Sequence, residues 1–208
     1  MKFICLMSAG IDSPVASYLI SKYGEIVLVH ADNYPFIGKD DKDILLELAE
    51  RLRYVTEKKI RVYILPHGIT LSDITEKVRR NLICVMCKRF LLRYGAEIAR
   101  REGADAIVTG DSLGQVASQT LDNLFVEQYG LKFPVLRPLI GFDKEDIVKI
   151  AKGIGTYEIS IKSKTTCRAV PKKVATRANL DVVLDYEKRL DIAGITKKVI
   201  NGIERLDL

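Results

Sequence analysis

The chain has 208 residues, 48% of them hydrophobic and 29% charged, which favours one globular domain, or one plus a small appendage, and excludes a disordered chain. The formal net charge is +6, and no apolar run reaches transmembrane length. Four cysteines are too few for a disulfide scaffold and, in a reducing compartment, read as metal or redox chemistry.

Phe3–Met7 reads as a strand, and Ser8 and Asp12 interrupt the apolar start too early for a signal peptide, so a cytoplasmic location is expected. Next comes a tight turn, Ser8-Ala9-Gly10-Ile11-Asp12-Ser13, and then a helix over Ser13–Lys22. The two serines supply hydroxyls and Gly10 lets a ligand approach the backbone closely. A helix N-terminus adds unpaired N–H groups and partial positive charge, so the turn suits a phosphate. Pro14 costs nothing in a first helical turn. The turn lacks the Gly-Lys-Ser/Thr ending of a Walker loop. Asp12 then has a place beside phosphate only if it holds Mg2+ or orients the helix start. A plain strand-to-helix turn is the alternative.

Ile26–Val29 and Ile60–Leu65 read as strands, with a helix over Lys42–Tyr54 between them. His67, after Pro66, is placed in an ordinary surface loop. Helices are expected over Asp73–Arg80 and Lys88–Glu102. Lysine at a helix start is electrostatically unfavourable, and a bound phosphate would supply a reason for Lys88-Arg89. Residues 77–101 carry a net charge of +7. Ala106–Val108 is a short strand that runs into a polar loop, Thr109–Leu124. There Gly110 and Gly114 permit close approach, and Asp111, Ser112, Gln115 and Ser118 offer side-chain ligands. Val135–Leu136 is a short strand and Lys144–Lys152 a helix. Residues 160–180 carry +6 with no acidic residue, against −7 for the chain outside the two basic zones. Such zones suggest a polyanion partner, nucleic acid or nucleotide, or are merely solvated faces. Asp181–Leu190 and Lys197–Arg205 read as terminal helices.

Strand–helix alternation predicts an α/β fold, a doubly wound parallel sheet with ligands beyond the carboxyl ends of its strands. A main domain over residues 1–180 and a helical extension over 181–208 are expected.

Cys84 and Cys87, three apart, share one face of a helical turn, and Cys167 lies in the other basic zone. Cys5 belongs to the core. Zinc would need a fourth ligand, which His67 could supply. Three thiolates match an iron–sulfur cluster with one open position. The basic surroundings are expected to lower the thiol pKa values. Inert thiols or a disulfide are the plain alternative.

The first loop resembles the SGGxDS pyrophosphate-binding motif of the PP-loop ATP pyrophosphatases, with Ala9 in place of the first glycine. Ser8–Ala16, Thr109–Leu124 and Arg137-Pro138-Leu139-Ile140 with Asp143-Lys144 are similar to the ThiI family of tRNA 4-thiouridine synthases. The resemblance implies an ATP-dependent transferase. It would adenylate uridine 8 of tRNA and replace its O4 with sulfur, releasing AMP and pyrophosphate. It implies a nucleotide held by Ser8, Ala9, Gly10, Ile11, Asp12, Ser13, His30, Ala31, Arg89, Gly110, Asp111 and Gln119. Asp12, Lys88 and Cys167 would be catalytic, with Asp111 holding Mg2+ or orienting ATP. Cys84, Cys87 and Cys167 would hold an iron–sulfur cluster, or Cys167 would carry a persulfide. The loop begins at residue 8, so the family's THUMP and rhodanese regions are expected to be absent. Either a separate THUMP-type protein grips tRNA, or the basic zones do, or the substrate is not tRNA. A homodimer is an expectation from relatives, and the sulfur donor is left open. A PP-loop enzyme acting on a small molecule, or a nucleotide- or metal-binding module without catalysis, are the alternative readings.

Overall fold

The computed structural model describes residues 1–114, 118–163 and 166–208. Chain order is β1 Lys2–Met7, α1 Asp12–Ser21, β2 Glu25–Ala31, α2 Asp40–Thr56, β3 Arg61–Leu65, α3 Gly68–Lys77, a 3-10 turn Arg80–Leu82, α4 Ile83–Glu102 and β4 Ala106–Val108. Then follow α5 Leu121–Gln128, β5 Val135–Leu136, α6 Lys144–Gly153, α7 Tyr157–Ser160, α8 Leu180–Lys188, α9 Ile192–Asn201 and β6 Glu204–Asp207. The strands form one sheet in the order β5-β4-β1-β2-β3-β6. The first five are parallel, and β6 runs antiparallel to β3. The order reverses between β1 and β4, which opens a crevice where those strands end.

Both sheet faces are covered, which is why the central strands are nearly continuous apolar runs. Alternate residues face opposite sides. Phe3, Cys5 and Met7 of β1, with Ile26 and Leu28 of β2, join a core completed by α1, α2, α6 and α7. Ile4, Val27 and Val29 join a second core with α3, α4, α8 and α9. Cys5 is fully buried, and burial pushes its thiol up to about 12.

The expected α/β sheet is borne out, with differences in the elements. The sheet is mixed rather than wholly parallel. Helix α3 begins at Gly68, and the chain is extended at Val78, which ends the helix expected to reach Arg80. Helix α4 begins at Ile83, not Lys88, so Lys88 lies in its second turn. No phosphate is needed there to offset a lysine at a helix start. The expected polar loop contains α5, capped by the Thr120 hydroxyl, which accepts from the Asn123 N–H. The helix expected over Lys197–Arg205 ends at Asn201, and Glu204–Asp207 turns back as the edge strand β6. Among the described residues, no helix is long and apolar enough to cross a membrane.

Candidate nucleotide site

The turn after β1 is knit by its own serines. The Ser8 N–H donates to Ser13 Oγ at 2.9 Å, the Gly10 N–H to Ser8 Oγ at 3.3 Å, and Ser13 Oγ–H to the Ser8 carbonyl at 3.2 Å. From the far side, buried Ser160 donates to the Gly10 carbonyl at 3.2 Å. Ala9 is buried and its backbone is not left-handed, so a side chain there carries no strain. Helix α1 starts at Asp12, whose carboxylate complements the helix N-terminus and pairs with Lys144. Gly110, at the end of β4, presses on this turn. A Cβ there would stand 2.7 Å from Ser13 N and 2.8 Å from Ser13 Cα, so only glycine fits.

These pieces line a cavity of about 250 Å3 beyond β1 and β4, which also includes Lys88, Thr109, Asp111, Gln119 and Glu127. Lys88 Nζ donates to Asp111 Oδ1 at 2.8 Å and lies 3.7 Å from Glu127 Oε2. Thr109 Oγ1 donates to Asp111 Oδ2 at 2.7 Å, and Arg137 Nε lies 3.5 Å from the same oxygen. Burial works to raise the Asp111 carboxyl, but Lys88, Thr109 and Arg137 outweigh it and hold it below the ordinary range. Burial likewise works to lower Lys88, and the carboxylates of Asp111 and Glu127 reverse that and raise it. The ammonium therefore keeps its proton at neutral pH. Gln119 Nε2 reaches Asp111 Oδ1 at 3.5 Å. A preorganised cation beside a helix N-terminus can bind a polyphosphate and stabilise charge developing on it.

A second cavity of about 320 Å3 shares Leu6, Ser8, Gly10 and Leu91 with the first and is lined by His30, Ala31, Asn33 and Asp41. His30 Nδ1 lies 3.1 Å from the Met7 carbonyl, which orients the ring, and Nε2 lies 3.2 Å from Asp41 Oδ2. Ser8, Gly10, Ile11, Asp12, Ser13, Lys88, Gly110, Asp111 and Gln119 thus converge on one cavity, with Ala9, His30 and Ala31 on its neighbour.

Arg89 does not line either cavity. It stands about 100° round the helix from Lys88, and its guanidinium is buried against α8. It donates to Glu187 Oε1 at 2.7 Å and Oε2 at 2.9 Å, and to the Val126 carbonyl. The expectation that Arg89 touches the nucleotide is corrected, because its donors are spent inside the protein. Gln115 lies outside the described residues, and Ser118 faces Asn123 through its carbonyl.

Cys84 and Cys87 sit in the first turns of α4, and Cys167 packs with Cys87 against the same core. Burial, reinforced by the charge of Cys167, raises Cys84; burial, reinforced by Cys84 and Cys167, raises Cys87 strongly. Lys88 pulls the other way and loses. For Cys84 and Cys87 the expectation of acidified thiols is therefore corrected: desolvation outweighs the basic surroundings. His67 is fully buried rather than superficial, with Nε2 3.2 Å from Cys87 Sγ. Burial pushes it down to about 3, so the imidazole is neutral. The donors are soft and neighbouring, but among the described residues no group of three or more His, Cys, Asp or Glu side chains stands in metal-holding geometry.

The basic zones divide on folding. Arg89 and Arg93 are tied to Glu187, and Arg100 and Arg101 to Glu97. Arg79, Arg80, Lys172 and Lys173 are exposed. Their segments meet where the Ala175 N–H donates to the Asn81 carbonyl at 2.9 Å. Lys164 lies outside the described residues.

Two residues of the site escape sequence reasoning. Glu127 lies on the inner face of α5, and only a helical reading of 121–128 would turn it inward. Thr109 looks like an ordinary strand end until its hydroxyl meets Asp111.

The family model described as Thiamine biosynthesis protein (ThiI) matches residues 1–192. A probable tRNA sulfurtransferase from Methanosarcina mazei is 39% identical over 209 aligned positions, covering 100% of this chain and 52% of that protein. The chain thus spans about half the length of the curated relatives it matches. Among solved structures, a 4-thiouridine synthetase–RNA complex with bound ATP superposes with a TM-score of 0.94 at 33% identity, covering 100% of this chain and 55% of that one. A U34-tRNA thiolase from Methanococcus maripaludis, solved with its 4Fe–4S cluster, shares the fold with a TM-score of 0.52 at 16% identity, covering 97% of this chain and 70% of that one.

Proposed function

The chain belongs to the ThiI family, and from that premise we propose that it carries out the ATP-dependent step of a tRNA sulfurtransferase. In this reading uridine 8 attacks the α-phosphorus of ATP through O4, and the P–O bond to pyrophosphate breaks. Sulfur then takes the C4 position and AMP leaves, giving 4-thiouridine. Ser8, Gly10 and Ser13 bind the pyrophosphate portion, with Asp12 at the helix start. His30 and Ala31 border the nucleoside. Lys88 stabilises the charge that develops on the phosphates, and Asp111 orients Lys88. Asp12 and Asp111 are the carboxylates that would hold Mg2+, Asp12 in exchange for Lys144 and Asp111 in exchange for Lys88, and the ion would neutralise phosphate charge.

The observation that carries this reading is the single cavity joining the serine turn of β1, Lys88 of α4 and Asp111 beyond β4. Arg89 acts at one remove, by fixing α4 to α8 through Glu187. Cys84, Cys87 and Cys167 form the sulfur-handling group. Their donor chemistry suits an iron–sulfur cluster, Cys167 alone suits a persulfide, and no step above runs through a metal. Residues 1–180 form the catalytic domain, with 181–208 as an extension that buttresses α4. Arg79, Arg80, Lys172 and Lys173, all exposed, form the RNA-facing surface. The cytoplasm is the proposed location.

The test is ATP cleavage by anaerobically purified protein, with and without bulk tRNA and sulfide. AMP and pyrophosphate that depend on tRNA, with 4-thiouridine in the digested RNA, are expected. Cleavage that ignores tRNA would move the substrate to a small molecule. ATP binding without α,β-bond cleavage would leave only a nucleotide-binding module.

A further inference from the structure

Glu127 is a buried acid that the proposed chemistry does not use. It is 3% exposed and lines the nucleotide cavity. Its Oε2 lies 3.7 Å from Lys88 Nζ, and among the described residues its Oε1 has no hydrogen-bond partner. A buried carboxylate with an unfilled oxygen destabilises the fold, so its presence asks for a reason. Helix α5 is held in place, and Glu127 also borders a surface cleft lined by Arg93, Arg100 and Lys132. Buried Asn123 donates to the Ser118 carbonyl at 3.0 Å and the Ala175 carbonyl at 2.7 Å, and accepts from the Ala178 N–H at 2.9 Å.

The groups acting on Glu127 come from every side. Lys88 is on α4, Asp111 follows β4 and Arg137 follows β5. Cys84 and Cys87, also on α4, stay neutral because burial raises them. Arg89 of α4 reaches the neighbouring Val126 carbonyl, but its charge is spent on Glu187 of α8. Two cations thus serve two carboxylates, and Asp111 holds the shorter contact to Lys88, 2.8 Å against 3.7 Å. Glu127 depends on what remains of Lys88. A triphosphate in the cavity competes for the same ammonium with more negative charge.

We propose that nucleotide binding puts a proton on Glu127: the triphosphate draws the Lys88 ammonium away from the two carboxylates, and Glu127 becomes a neutral acid while the nucleotide is bound. The proton comes from the solvent and only an O–H bond forms. The inference rests on the nucleotide-site reading and deepens it. Burial pushes the free Glu127 up to about 8. Below that pH the acid is already neutral and the coupling is weak; above it the uptake approaches one proton per nucleotide.

The test is calorimetric titration of this chain with a non-hydrolysable ATP analogue and Mg2+, at pH 7.5 and 9, in two buffers of different ionisation heat. The buffer difference counts protons directly. Proton uptake that is larger at pH 9 than at pH 7.5, and a Kd severalfold weaker at pH 9, are expected from linkage. In Glu127→Gln the uptake should vanish and the Kd should change less than twofold, the ionisation of the analogue being common to both proteins. No uptake by the unaltered protein at pH 9, or unchanged uptake in Glu127→Gln, overturns the inference and leaves the nucleotide site standing. Absence of analogue binding by the unaltered protein overturns both. Should Glu127→Gln fail to fold, the same titration of Glu127→Leu takes its place.

Discussion

Replacing Gly110 by alanine tests how the two halves of the site are fitted together. An added Cβ would meet Ser13 N at 2.7 Å, Ser13 Cα at 2.8 Å and Asp12 C at 3.0 Å. All three are backbone atoms at the start of α1, so no side chain can yield. Either β4 or the serine turn must move by more than half an ångström. Overpacking of this kind costs about 1–3 kcal/mol, which for a chain of this size lowers Tm by roughly 2–10 °C. The larger effect falls on the site, because the shifted turn carries the Ser8 and Ser13 groups. ATP affinity should fall at least about tenfold, or about 1.4 kcal/mol. Gly153→Ala is the control: among the described residues nothing lies within 4 Å of its Cβ, and alanine in a helix is neutral or stabilising by up to about 1 kcal/mol. Calorimetric ATP binding and thermal unfolding on both variants measure the two effects. Gly110→Ala with unchanged affinity and Tm would refute the close contact and the role given to the turn.

Lys88→Met should lower tRNA-dependent AMP formation about 10²–10³-fold, the scale for loss of one preorganised charge in a transition state; quenched-flow turnover checks it, and an undiminished rate removes Lys88 from the chemistry. Reversing charge at Arg79, Arg80, Lys172 and Lys173 should weaken tRNA binding for all sequences and flatten its salt dependence by about 0.7–0.9 for each phosphate no longer neutralised. Filter binding across a salt series reads the slope, and an unchanged slope places the RNA elsewhere. Serine at Cys84, Cys87 or Cys167 should abolish 4-thiouridine while tRNA-dependent pyrophosphate release persists, and the iron content of anaerobically purified protein separates the cluster from the persulfide. The pH profile of stability gives a further check. A carboxyl raised on folding loses stability as pH climbs between its unfolded value of about 4.3 and its folded value of about 8, at about 1.4 kcal/mol per unit. The Tm advantage of Glu127→Gln should therefore widen from pH 5 to 8 and level off above; a constant difference contradicts the buried acid.

Much of the fold is legible because the strands are buried on both faces. Ile4, Leu28 and Val62 are fully buried, and runs of that kind announce a covered parallel sheet. The serine turn is equally plain, since its residue types carry their own hydrogen bonds. What stays hidden depends on partners far along the chain. Glu-Arg-Leu-Asp at β6 has no strand signature, and its pairing with β3 crosses more than 130 residues. Helix α5 hides because Leu121 and Phe125 face outward, 70% and 60% exposed, while polar Asn123 and Glu127 are buried beside Leu124 and Val126, which blurs the usual amphipathic pattern. The start of α4 hides because no side chain caps it. The thiols mislead because sequence displays nearby charge and conceals burial, and burial is the larger influence on Cys87.

The edge strand β6 bears on how the molecule keeps apart from its neighbours. Without it, the open side of β3 would offer a ladder of unpaired N–H and C=O groups to any passing extended chain. In its place the sheet ends in four residues bearing Glu204, Arg205 and Asp207, all exposed. Arg61 and Arg205 both pair with Asp207, so the rim is fastened by ions and studded with charge. A strand this short and this hydrophilic is a poor template for another copy to extend. The charges along β6 are thus a guard against fibril-like growth from a sheet whose interior strands would otherwise be well suited to it.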